Sequence, residues 1–231
     1  MLNMNISIEK VVMKYTHFIN RMIENKHFID FLDKKKKEIY KNPDSILKEY
    51  DAFLEFNGIY HSHDVVTFRK KLKGRMELCE QILYFYDTAK LDNERLSLLE
   101  DLIATGYDKN KIVEIILEAF FSDNPPSNLW HYGDMLYRLK RYKYLPEYLE
   151  IVSNSTYGSA RQMVVSLLGK SKKLEVIPVL LKLTEDETVY GHAVEALANF
   201  EGEQIVNVMQ KYKECDVKWI SKIARKYLEK H

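Results

Sequence analysis

The sequence predicts an all-α protein whose C-terminal half is an α-solenoid, a stack of similar helix pairs. Glycine and proline number only 8 and 5 in 231 residues, and strand-like alternation is hard to find. A hydrophobic content of 46% is ample for a continuous core. The block Tyr157-Gly158-Ser159-Ala160 also returns as Tyr190-Gly191-His192-Ala193. Repetition at roughly 30 residues is typical of stacked helical units, because one unit cannot bury its apolar face alone.

The N-terminal region, residues 1–122, is predicted to form a helical cap on this array. Ser7 is a suitable N-cap for a first helix that ends near Lys26, since apolar residues follow it with a 3.6-residue period. A second helix is expected over residues 27–40. The break at residues 42–45 contains a proline suited to a first helical turn, so a third helix should begin there.

The third helix should end at Gly58. A longer helical segment is expected over residues 64–88, with a bend at Gly74, because glycine costs about 1 kcal/mol against alanine inside a helix. Helices over residues 93–104 and 109–122 follow. All of these assignments rest on apolar residues spaced for one face of a helix.

The best domain boundary is the segment 122–128. It contains Pro125-Pro126 between small polar residues, which cannot continue a helix. We therefore expect the cap region at 1–122 and the repeat region at 128–231, continuous with each other as one solenoid.

Each repeat unit is predicted to be a pair of helices, a first and a second, and one apolar pattern marks the second helix of three units. From Leu145 a shift of 32 residues leads to Ile177, and a further 28 to Ile205. Residues at i, i+3 and i+4 then agree in character, as expected for one buried helix face. The matched columns are Leu145, Ile177 and Ile205; Tyr148, Leu180 and Val208; and Leu149, Leu181 and Met209.

The first helices of the units align as well, and one column of small residues should let neighbouring helices pack closely. Gly169 and Gly202 are predicted to be the left-handed residues that end two first helices. Pro146 and Pro178 are expected near the starts of second helices. The first-helix columns are Thr156, Val189 and Val217; Ala160, Ala193 and Ser221; Met163, Ala196 and Ala224; and Leu167, Phe200 and Leu228.

Four consecutive features together resemble HEAT repeats. They are an alanine-bearing helix, a glycine turn, the segment Ile177-Pro178-Val179-Leu180-Leu181-Lys182-Leu183 and the acidic turn at 185–187. The pattern is most similar to the short HEAT-like repeats also found in phycobilisome lyases. The resemblance covers residues 128–231 and is most specific over 158–200, whereas residues 1–122 show no repeat that can be aligned. It implies a curved protein-binding surface; an ordinary helical bundle with accidental self-similarity is the alternative.

In HEAT-like arrays the second helices line the concave face, so this resemblance implies a partner-binding surface there. Its residues change charge along the array, which suits a protein partner better than a phosphate backbone. The implied function is a non-enzymatic scaffold, adaptor or inhibitor of a partner enzyme, and a solvated face is the alternative. The expected surface residues are Glu147, Glu150, Val179, Lys182, Asn207 and Gln210.

A basic edge is the basis for a second hypothesis. Cations interleaved with tyrosines can bind and stack on nucleic acid. The acidic third turn at 201–203 interrupts this stripe, so a solvated edge is the favoured interpretation and nucleic acid the less favoured partner. The residues concerned are Arg138, Lys140, Arg141 and Lys143 in one turn and Lys170, Lys172 and Lys173 in the next.

Two enzyme classes have partial signatures. One is an aromatic residue, a carboxylate and a cation, namely Trp130, Asp134 and Arg161. This set resembles the active-site residues of the HEAT-like alkylpurine DNA glycosylases, in which a carboxylate stabilises developing positive charge. The alternative is that Trp130 packs in the core and Asp134 makes a structural contact with Arg161.

The cluster His61-Ser62-His63-Asp64 resembles part of the metal site of the HD phosphohydrolases, with His27 and Asp101 as unsupported further ligands. Asp64 as a helix N-cap explains it adequately. No phosphate loop, dinucleotide fingerprint or nucleophile elbow occurs. We therefore expect no enzyme, no cofactor and no metal site.

Charge and cysteine usage indicate the expected compartment. A formal net charge of +1 provides no global attraction to nucleic acid or lipid. Cys79 and Cys215 form no metal-like pair and are expected to be two buried thiols in a reducing compartment. No leader-like or membrane-spanning segment is evident, so we expect a cytoplasmic protein without a membrane partner.

Overall fold

The computed structural model describes residues 41–60 and 65–231. The predicted first two helices and the cluster at residues 61–64 lie outside these ranges. The described residues form twelve α-helices and four short 3₁₀ helices, and they contain no β-strand. The predicted all-α class is therefore confirmed. No helix in the described ranges is long and apolar enough to cross a membrane.

The chain divides into two compact units between Ile112 and Val113. The division falls inside a helix, before the linker predicted at 122–128, and the predicted domain limits remain a prediction. In the first unit, α4 packs against α2 and α3. The helices before the division are α1 (Leu47–Phe56), α2 (Val65–Leu72), α3 (Cys79–Thr88) and α4 (Asp92–Thr105), and the division lies within α5 (Lys109–Phe121).

The long helical segment expected over residues 64–88 is two helices rather than one. Gly74 has a φ of +79°, a left-handed conformation that favours glycine, and its N–H donates to the Thr105 carbonyl at 3.0 Å. The 3₁₀ helix Met76–Leu78 then leads into α3. Cys79 is buried beside Thr105, with 3.1 Å between Sγ and Oγ1. Cys215, by contrast, is only half-buried, because it lies in the turn before the last helix.

The second unit arranges its helices in order along the chain. First helices pack on one another in sequence: α6 on α8, α8 on α10 and α10 on α12. Second helices pack on the first helix that follows them: α7 on α8, α9 on α10 and α11 on α12. These helices are α6 (Leu129–Leu139), α7 (Leu145–Ser153), α8 (Gln162–Ser171), α9 (Ile177–Leu183), α10 (Tyr190–Leu197), α11 (Glu203–Tyr212) and α12 (Lys218–Lys230).

Local structure in this unit repeats at the 32-residue shift found in the sequence. Lys140 and Lys172, which end α6 and α8, both adopt left-handed conformations with φ of +53° and +55°. The 3₁₀ helices Tyr142–Tyr144 and Leu174–Val176 follow them and lead into α7 and α9. A proline then occupies the first turn of α7 and of α9, as expected.

The prediction that Gly169 is a left-handed helix cap is wrong. Gly169 lies inside α8 and is buried, and a Cβ atom at this position would come within 2.5 Å of the Cα of Ala196 in α10. Close approach of two helices, rather than backbone reversal, therefore requires glycine here. Gly202 does have a positive φ, +145°, but it lies outside the αL region and precedes α11 as its N-cap.

The aligned columns agree with burial in part, since Leu149, Ile177 and Leu181 are only half-buried. Tyr148 and Leu180 are fully buried at matched positions of α7 and α9. In α11 the buried residues are Ile205 and Met209, while Val208 is half-buried, so the helix is rotated slightly from the predicted register. The repeated tetrapeptide also differs between its copies, because Gly158 has a positive φ in a 3₁₀ segment whereas Gly191 lies inside α10.

Candidate binding surfaces

The expected partner-binding residues lie on successive second helices and form what we call the second-helix row: Glu147 and Glu150 on α7, Val179 and Lys182 on α9, and Asn207 and Gln210 on α11. Glu147 and Val179 are half-buried, and the other four are exposed. This placement agrees with the sequence alignment, in which these positions fall between buried columns. The row carries both signs of charge and two amides, which is a composition suited to hydrogen bonding with a protein surface.

Glu147 is the member of the row with an unusual environment. One carboxylate oxygen, Oε2, is buried, and no hydrogen-bond donor within the described ranges reaches it. The neighbouring Tyr148 donates its hydroxyl proton to the Arg141 carbonyl at 3.0 Å. Burial first, and then the nearby Tyr144 and Glu147, raise the pKa of Tyr148 well above its usual value. Tyr148 therefore stays protonated and keeps its hydrogen bond to the Arg141 carbonyl.

The two basic turns occupy equivalent places in the repeat, because Lys140 and Lys172 end α6 and α8 in the same conformation. Arg138 is paired with Asp134 at 2.9 Å, one helical turn away. Arg141 is half-buried, with a buried Nε that has no acceptor among the described residues. The remaining cations of these turns, Lys140, Lys143, Lys170, Lys172 and Lys173, are exposed.

Trp130, Asp134 and Arg161 do not form a joint site. The indole of Trp130 is 39% exposed and donates through Nε1 to Gln162 at 3.2 Å, so the prediction that it packs in the core is wrong. The predicted contact between Asp134 and Arg161 is also wrong, since Asp134 pairs with Arg138 in its own helix. The Asp134 carboxylate is thus paired within α6 and makes no ion pair with Arg161.

Arg161 is instead the centre of a buried polar network that sequence reasoning missed. The residue is only 1% exposed. Its guanidinium donates from Nε to the Gly158 carbonyl at 3.0 Å and from Nη1 to the Val152 carbonyl at 2.9 Å. Nη2 donates to the Asp186 carboxylate at 2.7 Å and to the Thr188 hydroxyl at 2.8 Å. One side chain therefore ties α7, the start of α8 and the turn after α9 together.

The turn that holds Asp186 has a counterpart 32 residues earlier. Asp186 Oδ1 accepts from the N–H and hydroxyl of Thr188, at 2.9 and 2.6 Å. Asn154 accepts in the same way from Thr156, at 3.1 and 2.7 Å. Partial burial alone would raise the pKa of the Asp186 carboxyl, but hydrogen bonds from Thr188 and Arg161 lower it below its usual value. The repeated Asx-x-Thr pattern was the sequence signal for this network.

An open groove of about 430 Å³ lies beside Trp130. Tyr157 forms one of its walls and is held rigidly, because its hydroxyl donates to the Phe120 carbonyl at 2.6 Å. Charged side chains are absent from the described lining, so the groove is neutral. The lining residues are Pro125, Pro126, Ser127, Leu129, Trp130, Thr156, Tyr157, Ser159 and Ala160.

The metal-site hypothesis falls mostly on residues outside the described ranges, namely His27 and the cluster at 61–64. Asp101, the remaining candidate ligand, is 2% exposed and accepts from the Tyr50 hydroxyl at 3.0 Å and from Arg69 Nε at 3.1 Å. Its oxygens thus serve a structural ion pair. Across residues 41–60 and 65–231, no group of three His, Cys, Asp or Glu side chains is arranged to hold a metal ion.

Comparisons with protein-family models, with curated proteins and with solved structures found no match to this chain.

Proposed function

We propose that the second unit is a HEAT-like α-solenoid that acts as a non-enzymatic protein-binding scaffold, adaptor or inhibitor, with the second-helix row as its contact surface. The observation that carries the proposal is the regular order of the helices. First helices pack on one another in sequence, and each second helix packs on the first helix that follows it. Equivalent residues of successive second helices then form one row.

The chemistry of the row favours a protein partner. Glu150, Lys182 and Gln210 are exposed on three different helices and present a negative, a positive and a neutral group in turn. A phosphate backbone would be repelled by the first of these, whereas a protein surface with complementary charges can match all three. Because these side chains stand on packed helices rather than loops, their relative positions are fixed before binding.

The candidate catalytic side chains are already paired with other side chains of the protein, which supports a non-enzymatic function. Asp134 is paired with Arg138, and Arg161 is buried with Asp186. Neither side chain is available to a substrate without breaking these contacts. A base-excising enzyme would need both groups facing an open groove.

The test is affinity capture from an extract of the cytoplasm, the compartment that we expect from the sequence. The variant Glu150→Lys plus Lys182→Glu leaves the net charge unchanged and exchanges the two signs in the row. We expect it to lose a partner that the wild type retains. The matched control is Lys73→Glu plus Glu80→Lys, an equally charge-neutral exchange of two exposed residues in the first unit. Capture that survives in the row variant, or is lost equally in the control, would reject the row as the contact surface.

A second candidate function is nucleic-acid binding along the basic turns, favoured by the equivalent positions of Lys140 and Lys172. It predicts retention on heparin that falls with added salt, because released counterions drive such binding. The variant Lys140→Gln plus Lys172→Gln should then elute at lower salt than the wild type. Equal elution of the two proteins would remove this candidate.

A further inference from the structure

A groove of about 800 Å³ runs along α12 in the second unit, and we call it the α12 groove. It lies apart from the second-helix row, which is on α7, α9 and α11. Four cations line it against a single carboxylate, so its charge differs sharply from the near-neutral chain. Its lining residues are Cys215, Lys218, Ser221, Lys222, Arg225, Lys226 and Glu229.

Helix periodicity produces this groove. Lys218, Lys222 and Lys226 are spaced four residues apart and therefore form one stripe, with about 6 Å along the axis between neighbours. The opposite side of α12 is buried through Ile220, Ala224 and others. All three lysines are exposed, and none forms an ion pair with another described residue. Like charges at this spacing repel one another, so the stripe carries a small cost that a bound anion would relieve.

The floor of the groove is made of small side chains. Cys215 is half-buried, and Ser221 is buried with its hydroxyl donating to the Lys213 carbonyl at 2.6 Å. Small residues at the floor leave room for the backbone of another segment to approach α12. The lysine stems on one side can cover the apolar part of such a segment while their ammonium groups reach its charges.

The residues present favour carboxylates over nucleic-acid phosphates. Arg225 is the one guanidinium of the described lining, and it is already committed, with Nε on the Lys213 carbonyl and Nη2 on Glu214, both at 2.9 Å. The planar guanidinium that could bind a phosphate through two N–H groups is thus already hydrogen-bonded within the protein. The described lining also holds no aromatic ring on which a base could stack, which single-stranded nucleic-acid sites generally use.

We propose that the α12 groove binds an acidic helical segment of a partner protein, with carboxylates four residues apart that pair with Lys218, Lys222 and Lys226. Carboxylates at this spacing on a helix repeat at the same distance as the lysines, so both rows match in register. This site is additional to the second-helix row and does not depend on it.

The experiment uses the full chain and a fluorescein-labelled alanine-based peptide of roughly 16 residues, long enough for partial helicity, with glutamate at every fourth position. Fluorescence anisotropy should show saturable binding that weakens as salt is raised, because exposed ion pairs are screened. A peptide of the same composition with its glutamates adjacent should bind about threefold more weakly or worse, since only part of its charge can face one stripe.

Two charge-matched variants localise the binding. Lys222→Gln plus Lys226→Gln should weaken peptide binding about tenfold. Lys170→Gln plus Lys173→Gln, with the same loss of charge in a basic turn, should bind the peptide with an affinity within about twofold of the wild type. Both should keep the wild-type melting temperature, as exposed lysines contribute little to stability. The row variant Glu150→Lys plus Lys182→Glu should bind the peptide normally, which separates this proposal from the proposed function.

Three results would overturn the assignment. These are the absence of saturable binding by the wild type at low salt, an equal loss in the two lysine variants, and displacement of the peptide by an oligothymidylate of about 12 nucleotides that binds more tightly at the same salt. The last would identify the α12 groove as a nucleic-acid site.

Discussion

Substituting Gly169 by alanine probes the contact between α8 and α10. A Cβ at this position would lie 2.5 Å from the Cα, 2.7 Å from the Cβ and 2.9 Å from the carbonyl oxygen of Ala196. Carbon atoms normally pack at about 3.5–4.0 Å, so the two helices must separate by about 1 Å. None of the opposing atoms belongs to a flexible side chain that could swing away.

The expected magnitude follows from two opposing effects. Overpacking of a rigid contact costs about 3 kcal/mol at the upper end of the usual range. Alanine in place of a helical glycine returns about 1 kcal/mol through higher helix propensity. We therefore expect Gly169→Ala to lower the free energy of unfolding by about 2 kcal/mol, despite the better intrinsic helix former.

Urea unfolding followed by tryptophan fluorescence is the appropriate assay. Both tryptophans of the chain, Trp130 and Trp219, lie in the second unit, so the signal reports on the unit that contains the substitution. Lys170→Ala, an exposed change in the same helix, is the control and should stay within about 0.5 kcal/mol of the wild type. A Gly169→Ala protein as stable as the wild type, or more stable, would refute the close approach of the two helices.

Further predictions concern buried and half-buried charges. Arg161→Met should cost about 3 kcal/mol in urea unfolding, because it leaves two carbonyls and the Asp186 carboxylate without their donor. Asp186→Asn should keep the turn, as Asn154 does at the equivalent place, but lose the ion pair. Folding lowers the pKa of the Asp186 carboxyl, so this group stabilises the folded protein fully at a pH above its unfolded-state pKa of ~3.9. The stabilisation disappears as the pH falls further, and the wild type and Asp186→Asn should therefore become equally stable at low pH. Burial lowers the pKa of His192 against the opposing effect of Glu195, so stability should fall as pH drops below ~6.5, and less so in His192→Gln.

The second helices could be placed from sequence because their apolar spacing and first-turn prolines are local signals. Pro146 and Pro178 lie where they were expected, and the buried Tyr148 and Leu180 match their columns. The match is less good in α11, where Val208 is half-buried, and in α9, where Ile177 is half-buried although Leu145 and Ile205 of its column are buried. The connection before α11, residues 198–202, is as long as those before α7 and α9 but contains no 3₁₀ helix.

The helix ends and the buried network depended on contacts distant in sequence. Lysine has no preference for left-handed conformation, so Lys140 and Lys172 could not be recognised as caps, and glycine was assigned that role at Gly169 instead. Packing against Ala196 is the actual reason for that glycine. The burial of Arg161 likewise depends on Asp186, 25 residues away; the Asx-x-Thr pattern marks the turn that holds Asp186, but no local pattern pairs that turn with Arg161.

The α12 groove could have been found from the sequence, since its three lysines recur every four residues. The basic residues singled out from the sequence lie in the turns between helices, whereas these lysines lie on the outer face of the last helix. A charged stripe is informative only when the opposite face is known to be buried, and the structure provides this for α12.

Site-specific photo-crosslinking can show whether the second-helix row contacts a partner protein. A benzophenone amino acid would be placed at Glu150, at Gln210 and, as a control, at the exposed Glu118 of α5. We expect the same partner protein to be crosslinked from Glu150 and from Gln210, and not from Glu118. Crosslinking of that partner from Glu118 alone, or from all three positions equally, would contradict it.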